Sequence, residues 1–231
     1  MVVGNGLLAK AFKSFENDDE VVIFASGVSN SSETKLVEYD REKNLLIKTL
    51  SENPALRLVY FSTCSIYDSF QNGNEYVRHK LRMEQEIINR SNNYLILRLS
   101  NVVGLTNNRN TLFNYLANCV KERQNIEVWS GATRNLLDID HAFEITKEII
   151  NKSAKSNIYN IANVHDFKVI DILSAIEKHF NLSSNSQLVD KGVGVSIDLS
   201  AVQQLIPDYD KYFAGKEDYL LNLLAKYYSK S

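Results

Sequence analysis

The chain has 231 residues, which is enough to bury the core of one α/β domain with a small additional lobe. Its net charge is -2, and both signs are mixed along the chain, so nucleic acid is not expected as a partner. The two cysteines make no disulfide framework, and no apolar run approaches the ~20 residues that a membrane span needs. We expect a soluble protein of the reducing cytoplasm, with no membrane partner.

The amino terminus predicts a very short strand, a glycine-rich turn and a helix. Gly4, Gly6 and Ala9 fit the spacing G-x-G-x-x-G/A. In that pattern the first glycine makes a tight turn, the second lets the backbone approach a pyrophosphate, and the small third residue packs the helix on the sheet. The pattern favours a dinucleotide site, and an ordinary glycine-rich turn is the alternative.

Residues 20–27 predict a buried strand that ends in small residues, because its apolar run is continuous. A dinucleotide fold normally carries an acid at the end of its second strand, where it binds the ribose hydroxyls. Here the acids at 18–20 precede the strand, and Ala25, Ser26 and Gly27 follow its core. No arginine occurs before Arg41, so no clamp for a 2′-phosphate is evident, and the choice between NAD and NADP stays open.

A helix over about residues 35–52 and a strand over 57–61 follow. The strand leads directly into Ser62, Thr63, Cys64 and Ser65. Chemistry in open α/β sheets gathers at the carboxyl ends of the strands. The Thr63 hydroxyl is therefore placed to bond a substrate oxygen.

Tyr76 and Lys80 lie on the next predicted helix, one turn apart on the same face. A free phenol titrates near pH ~10, and a neighbouring ammonium favours the phenolate, so the pair is suited to proton transfer. Tyr-x-x-x-Lys is common by chance, however, and the alternative is two solvated residues on an amphipathic helix. The four histidines lack metal-ligand spacing, so we expect no metal.

Four features in chain order resemble the extended short-chain dehydrogenase/reductases, the NAD-dependent epimerase/dehydratase family that acts on nucleotide sugars. They are the glycine-rich amino terminus, Val-Tyr-Phe-Ser-Thr at 59–63, Tyr76-x-x-x-Lys80, and Leu-Arg-Leu-Ser-Asn-Val-Val-Gly at 97–104. The resemblance implies an α/β fold, a Rossmann-like doubly wound parallel sheet with a small carboxyl-terminal substrate lobe. It also implies NAD or NADP as cofactor, a nucleotide-sugar substrate, and a homodimer as one possible assembly.

The resemblance assigns roles to residues of this chain. The catalytic residues would be Thr63, Tyr76 and Lys80. The cofactor would be bound by Gly4, Gly6, Leu7, Leu8, Ala25, Ser26, Gly27, Ser62, Lys80 and Leu99. The substrate would be bound by Cys64, Ser65, Asn101, Asn110 and Arg134, of which Arg134 would grip the diphosphate unless it only makes a surface salt bridge.

Two departures from the family bear on function. The strand at 20–27 resembles the family's fourth strand, so the two strands that normally flank adenosine would be missing. Dehydratases of the family carry Asp-Glu after the catalytic threonine, whereas Cys64 and Ser65 stand there, which argues against dehydration. Cys64 itself is interpreted as a buried small hydrophobe in preference to an acid/base thiol.

We expect a cofactor-binding domain over residues 1–165, with 105–134 contributing to the substrate side, and a substrate lobe over 166–231. The expected function is reduction of a keto-sugar on a nucleotide carrier. Epimerisation with the same residues is one alternative. A non-catalytic nucleotide-binding or assembly protein is the other.

Overall fold

The computed structural model describes residues 1–68, 73–109, 111–213 and 215–228. The strands are β1 Val2–Val3, β2 Val21–Phe24, β3 Arg57–Thr63, β4 Tyr94–Leu99, β5 Asn101–Val103, β6 Asn125–Trp129, β7 Thr133–Asp138, β8 Asn157–Ile161, β9 Asp166–Lys168 and β10 Asn185–Val189. The helices are α1 Leu7–Ala11, α2 Leu36–Glu52, α3 Glu75–Arg90, α4 Leu112–Lys121, α5 Ile139–Lys152, α6 Val169–Phe180, α7 Ser200–Leu205 and α8 Lys216–Tyr227.

The chain forms two compact units, and each is made of separate chain segments. The first unit contains residues 1–100, 139–161 and 197–207, and the second contains 101–138, 162–196 and 208–231. The predicted boundary at residue 165, between a cofactor-binding domain and a substrate lobe, stays a prediction. The chain passes between the units after residues 100, 138, 161, 196 and 207, and a sequence pattern that records only local periodicity does not reveal such crossings.

The first unit is built on a five-stranded sheet in the order β1-β2-β3-β4-β8, and every pair in it is parallel. Val2 pairs with Ile23 and Val3 with Phe24, so the strand after the first helix lies directly beside β1. Within the described residues β1 is thus an edge strand. This topology agrees with the interpretation that the chain proceeds from the first helix to a strand like the family's fourth.

Both faces of this sheet are covered, as the doubly wound prediction requires. On one face Tyr60 belongs to a cluster with Leu46 of α2 and Met83 of α3. On the other face Phe61 packs against Phe12 at the end of α1, with ring centroids 5.0 Å apart. Because neighbouring residues of a strand point to opposite faces, the two rings at 60 and 61 anchor helices on opposite sides. The predicted α/β fold class is confirmed.

Helices α2 and α3 carry polar residues on the stripes that face the sheet. In α2 the buried residues are Tyr39, Glu42, Leu46 and Thr49, which is helical spacing with one charge at a core position. Asn74 caps the amino end of helix α3, and its side chain accepts a hydrogen bond from the Tyr76 N–H at 2.8 Å. This cap fixes the first turn of the helix that carries the predicted proton donor.

The second unit contains two small sheets and helices α4, α6 and α8. Strand β7 pairs in parallel with β5 and antiparallel with β9, while β6 and β10 form a parallel pair. The carboxylate of Asp138, at the end of β7, accepts hydrogen bonds from Lys226 and Tyr227 of α8. Buried Tyr209 donates a hydrogen bond from its hydroxyl to the Ala162 carbonyl, and the hydroxyl of buried Tyr219 accepts one from the Asp138 N–H, so both rings pack inside the protein. No helix in the described part of the chain is long and apolar enough to cross a membrane.

Candidate active site

The glycine-rich turn and the loop after β2 meet closely at the carboxyl ends of β1 and β2. Gly4 has φ +129°, a conformation that L side chains rarely adopt. An ideal Cβ at Gly4 would lie 2.4 Å from the Ala25 carbonyl oxygen. At Gly6, by contrast, an ideal Cβ would have no atom of the described residues within 4 Å apart from those of Gly6 and its chain neighbours. Two of the predicted cofactor segments are therefore neighbours, and the second glycine borders open space.

Lys80 is buried, and its ammonium group is fully hydrogen bonded. Its Nζ donates to Glu42 Oε1 at 3.0 Å, to the Tyr60 hydroxyl at 3.1 Å and to the Phe61 carbonyl at 3.3 Å. A lysine ammonium has three donors, and all three are used here. Binding a ribose hydroxyl through Lys80 would require one of these bonds to be exchanged.

Glu42 is the partner that balances the Lys80 charge. Its side chain is fully buried and also accepts hydrogen bonds from the Tyr60 hydroxyl at 2.6 Å and the Val28 N–H at 2.6 Å, with His79 Nε2 at 3.1 Å. Burial alone would raise the pKa of Glu42, but the Lys80 charge and the hydrogen bonds outweigh it and hold the pKa well below its usual range. Glu42 is therefore a carboxylate at neutral pH.

Tyr76 lies in the first turn of α3 and is half-buried. The Lys80 Nζ is 6.0 Å from the centroid of the Tyr76 ring. The two residues thus share one face of the helix, as their spacing predicts. In the same buried region the ionisation of Tyr60 is disfavoured: burial and the Glu42 carboxylate raise its pKa well above the ordinary value.

The residues after β3 occupy a short 3-10 turn. Buried Thr63 accepts a hydrogen bond from the Ser65 N–H on its Oγ1 at 3.0 Å, which leaves the Thr63 hydroxyl proton free of this bond. Cys64 is buried, and its Sγ donates to the Arg98 carbonyl at 3.1 Å. Burial raises the pKa of the Cys64 thiol to about 12, so it is protonated at neutral pH. These observations favour the packing role of Cys64 over the thiol acid/base role.

Ser62 and Leu99 lie at the ends of neighbouring strands β3 and β4. The Ser62 hydroxyl donates to Glu84 Oε1 at 2.5 Å, and Glu84 is also held by two bonds from Arg98, at 2.9 and 2.6 Å. The Ser62 hydroxyl is therefore occupied by the carboxylate of the Glu84–Arg98 ion pair. A cofactor contact from Ser62 is expected to come from its backbone, and the predicted contact from buried Leu99 stays a prediction.

Two further predicted substrate residues, Asn101 and Arg134, belong to the second unit. Asn101 is exposed, and its Nδ2 donates to the Asn135 carbonyl at 2.9 Å. Arg134 is half-buried, and its Nη1 donates to the Thr133 carbonyl at 2.7 Å. Asn110 lies outside the described residues. The substrate-binding roles of these three residues stay predictions.

Residues 4–162 match the family model described as "NAD dependent epimerase/dehydratase family". The chain belongs to this family. The matched segment includes Thr63, Tyr76 and Lys80 as well as the glycine-rich turn, so the predicted catalytic and cofactor residues all lie within it. No curated protein sequence matches this chain.

Several solved structures share the fold of this chain at low sequence identity. RMD from Pseudomonas aeruginosa, in complex with NADPH, superposes with a TM-score of 0.73 at 12% identity, covering 97% of this chain and 95% of that one. UDP-glucose 4-epimerase from Bifidobacterium longum, in complex with NAD+ and UDP, gives 0.67 at 16% identity, covering 94% and 80%. dTDP-glucose 4,6-dehydratase from Bacillus anthracis, in complex with NAD, gives 0.68 at 14% identity, covering 95% and 76%.

The sequence interpretation missed the residues that surround Lys80 in this family member. Glu42, Tyr60 and His79 form one hydrogen-bonded cluster with it. A signal for Glu42 was present, because it lies three residues after Tyr39 and four before Leu46 on the buried stripe of α2. A charge at such a position requires a partner.

Within the part of the chain that the structure describes, no group of three or more His, Cys, Asp or Glu residues is arranged to hold a metal ion.

Proposed function

We propose that this protein is an NAD(P)-dependent enzyme that acts on a nucleotide sugar, and that it reduces a keto-sugar. The observation that carries the proposal is the pairing of Tyr76 with a buried ammonium 6.0 Å from its ring, on the helix that follows the Thr63 strand. This arrangement gives a proton donor a fixed position beside a positive charge. Membership of the epimerase/dehydratase family supports the substrate class.

The residues of the glycine-rich turn fit a dinucleotide. At Gly4 the backbone passes so close to Ala25 that no side chain could be accommodated, and at Gly6 open space lies where a Cβ would be. A pyrophosphate could therefore approach the Gly6 backbone, as the pattern predicts. When bound, NAD(P)H supplies the hydride for reduction of the carbonyl carbon. The turn residues, together with the loop at Ala25, Ser26 and Gly27, would hold the cofactor.

Three side chains would take part in the transfer of a proton to the carbonyl oxygen. Tyr76 donates its phenolic proton to the carbonyl oxygen as that oxygen gains negative charge, and the resulting phenolate recovers a proton from solvent. Thr63 donates a hydrogen bond to the same oxygen, since its Oγ1 already accepts from Ser65. Lys80 stabilises the phenolate by its charge. The predicted substrate contacts of Cys64, Ser65, Asn101, Asn110 and Arg134 remain part of the proposal.

Epimerisation would use Thr63, Tyr76 and Lys80 through a transient ketone. The two reactions differ in the fate of the cofactor, which is consumed in reduction and regenerated in epimerisation. Dehydration is disfavoured because Cys64, whose pKa burial raises to about 12, stands where dehydratases carry an acid.

A non-catalytic nucleotide-binding protein is the alternative from another class. Two observations motivate it: β1 has only two residues and is an edge strand among the described residues, and every donor of Lys80 is used within the protein. Against it stands the retention of Thr63, Tyr76 and Lys80 together, which binding alone does not require.

Replacing Tyr76 by phenylalanine tests the catalytic proposal. The protein would be incubated with NADH or NADPH and keto-sugar nucleotides, and turnover followed by the loss of the reduced cofactor's absorbance. Loss of the general acid should slow turnover by ~100-fold or more, while the cofactor Kd changes by less than ~2-fold. Tyr94→Phe, at the amino end of β4, removes a phenol of the same unit and should leave turnover unchanged. Equal turnover in Tyr76→Phe and the unsubstituted protein would contradict the proposal.

A further inference from the structure

Glu42 connects the loop after β2 to the elements around Lys80. Residues 25–28, called here the cofactor loop, follow β2 and include three residues of the predicted cofactor site. Glu42 Oε2 accepts the Val28 N–H at 2.6 Å, while Oε1 accepts from Lys80 at 3.0 Å and from Tyr60 at 2.6 Å. One carboxylate therefore joins the loop to α3 and β3. A bond from a backbone N–H to a buried carboxylate is charge-assisted and strong.

The cofactor loop lies directly on this ion pair. An ideal Cβ at Gly27 would be 2.5 Å from Lys80 Nζ and 3.1 Å from Glu42 Oε1. Side-chain ends normally move aside for such a methyl group, but Lys80 Nζ is held by Glu42, Tyr60 and the Phe61 carbonyl. The pair thus lies directly under the loop, and a side chain at position 27 would require Lys80 Nζ to give up its present hydrogen bonds.

We propose that Glu42 is a positioning residue of the cofactor site: it holds Lys80 and the Val28 N–H together, so that Lys80 supports the cofactor loop from below instead of binding the cofactor ribose. This inference rests on the proposed function. The alternative roles make different demands on Glu42. If Lys80 binds ribose, loss of Glu42 would free its ammonium group and leave the cofactor Kd unchanged or lower. If Lys80 supports the loop, loss of Glu42 would free both Lys80 and the Val28 N–H, and the cofactor Kd would rise.

A double-mutant cycle separates the two roles. The variants are Glu42→Gln, Lys80→Met and the double substitution, with NADH and NADPH as the probes. Their Kd values would be measured by calorimetry at a temperature where each protein is folded. Both single substitutions should raise Kd by about tenfold or more, because the loop must then be ordered on binding. The double variant should bind no more weakly than either single one, since all three lose the same support.

The Val28 N–H reports on the loop in the absence of cofactor. Its hydrogen exchange, followed by NMR, should be at least about tenfold faster in Glu42→Gln, because the amide loses its bond to a charged acceptor. Gly27→Ala provides a second variant that changes no ionisable group. It should also raise Kd, because its methyl group would displace the loop from Lys80.

Leu46→Ala is the matched control for general destabilisation. Leu46 lies one turn after Glu42 on the same buried stripe and belongs to the hydrophobic core cluster of this unit. This variant should lower the thermal midpoint without changing Kd or Val28 exchange. A higher Kd in Lys80→Met with an unchanged or lower Kd in Glu42→Gln would overturn the inference and favour ribose binding by Lys80. Normal binding in every variant would overturn the inference alone, whereas no binding by the unsubstituted protein would overturn the proposed function as well.

Discussion

Substituting Gly4 by alanine should destabilise the first unit far more than the same substitution at Gly6. At Gly4 the backbone has φ +129°, and holding an L residue there costs ~1–3 kcal/mol. The added methyl would also lie 2.4 Å from the Ala25 carbonyl oxygen and 2.7 Å from its carbon. These are backbone atoms that cannot rotate away, so the pairing of Val3 with Phe24 must open. We expect a total loss of about 3 kcal/mol.

Gly6 is the matched control, because it belongs to the same turn but has ordinary geometry. Its φ is -77°, and among the described residues only its own chain neighbours come within 4 Å of an ideal Cβ. Alanine fits such a position and restricts the unfolded chain, which stabilises a protein by ~0.4–1 kcal/mol. The two variants should therefore differ by about 3–4 kcal/mol in the free energy of unfolding.

Urea denaturation followed by circular dichroism measures this difference. The account predicts a lower midpoint for Gly4→Ala and an unchanged or higher midpoint for Gly6→Ala, with similar slopes. Equal loss of stability in both variants would refute the reasoning about the turn. Because the Gly6 methyl would enter the space proposed for pyrophosphate, Gly6→Ala should still weaken NAD(P)H binding while it remains stable.

Three further predictions concern buried ionisable groups. Lys80→Met leaves the Glu42 carboxylate without its cation and should cost ~3 kcal/mol or more in urea denaturation, whereas a loss below ~1 kcal/mol would contradict the ion pair. The pKa of Glu42 is lowered in the folded state, so its stabilising contribution is complete above the ordinary carboxyl pKa near ~4.3 and is lost as pH falls below it. Urea midpoints between pH ~6 and ~3 should accordingly fall more steeply in the unsubstituted protein than in Glu42→Gln, and parallel curves would argue against this. Cys64, buried with its thiol pKa raised to about 12, should resist alkylation by iodoacetamide at pH ~8 until the protein unfolds, as mass spectrometry of the modified peptide would report.

Strands β2 and β3 of the first unit were predictable from the sequence because each contains a continuous apolar run. The run after the first helix lacks an acid at its carboxyl end, which led to its interpretation as a strand like the family's fourth. The pairing of β1 with β2 agrees with that interpretation. The position of Tyr76 relative to Lys80 was also predictable, since helical spacing alone places two residues four apart on one face.

The environment of Lys80 was not predictable in the same way. Its contact with Glu42 joins residues 38 positions apart in sequence, and the contact exists only because α2 and α3 pack on the same face of the sheet. Periodicity indicates that Glu42 faces the core, but it does not identify the partner. The same limit applies to the two units, whose segments alternate along the chain and therefore lack a single boundary.

The central claim is tested most directly by measuring the binding of NADH and of NADPH to the purified protein by titration calorimetry. The account predicts saturable binding of at least one of them in the micromolar range, reduced in Gly6→Ala. Such binding would mean that the cofactor is held without strands on the outer side of β1. Binding of neither dinucleotide would contradict an NAD(P)-dependent function and favour the non-catalytic alternative.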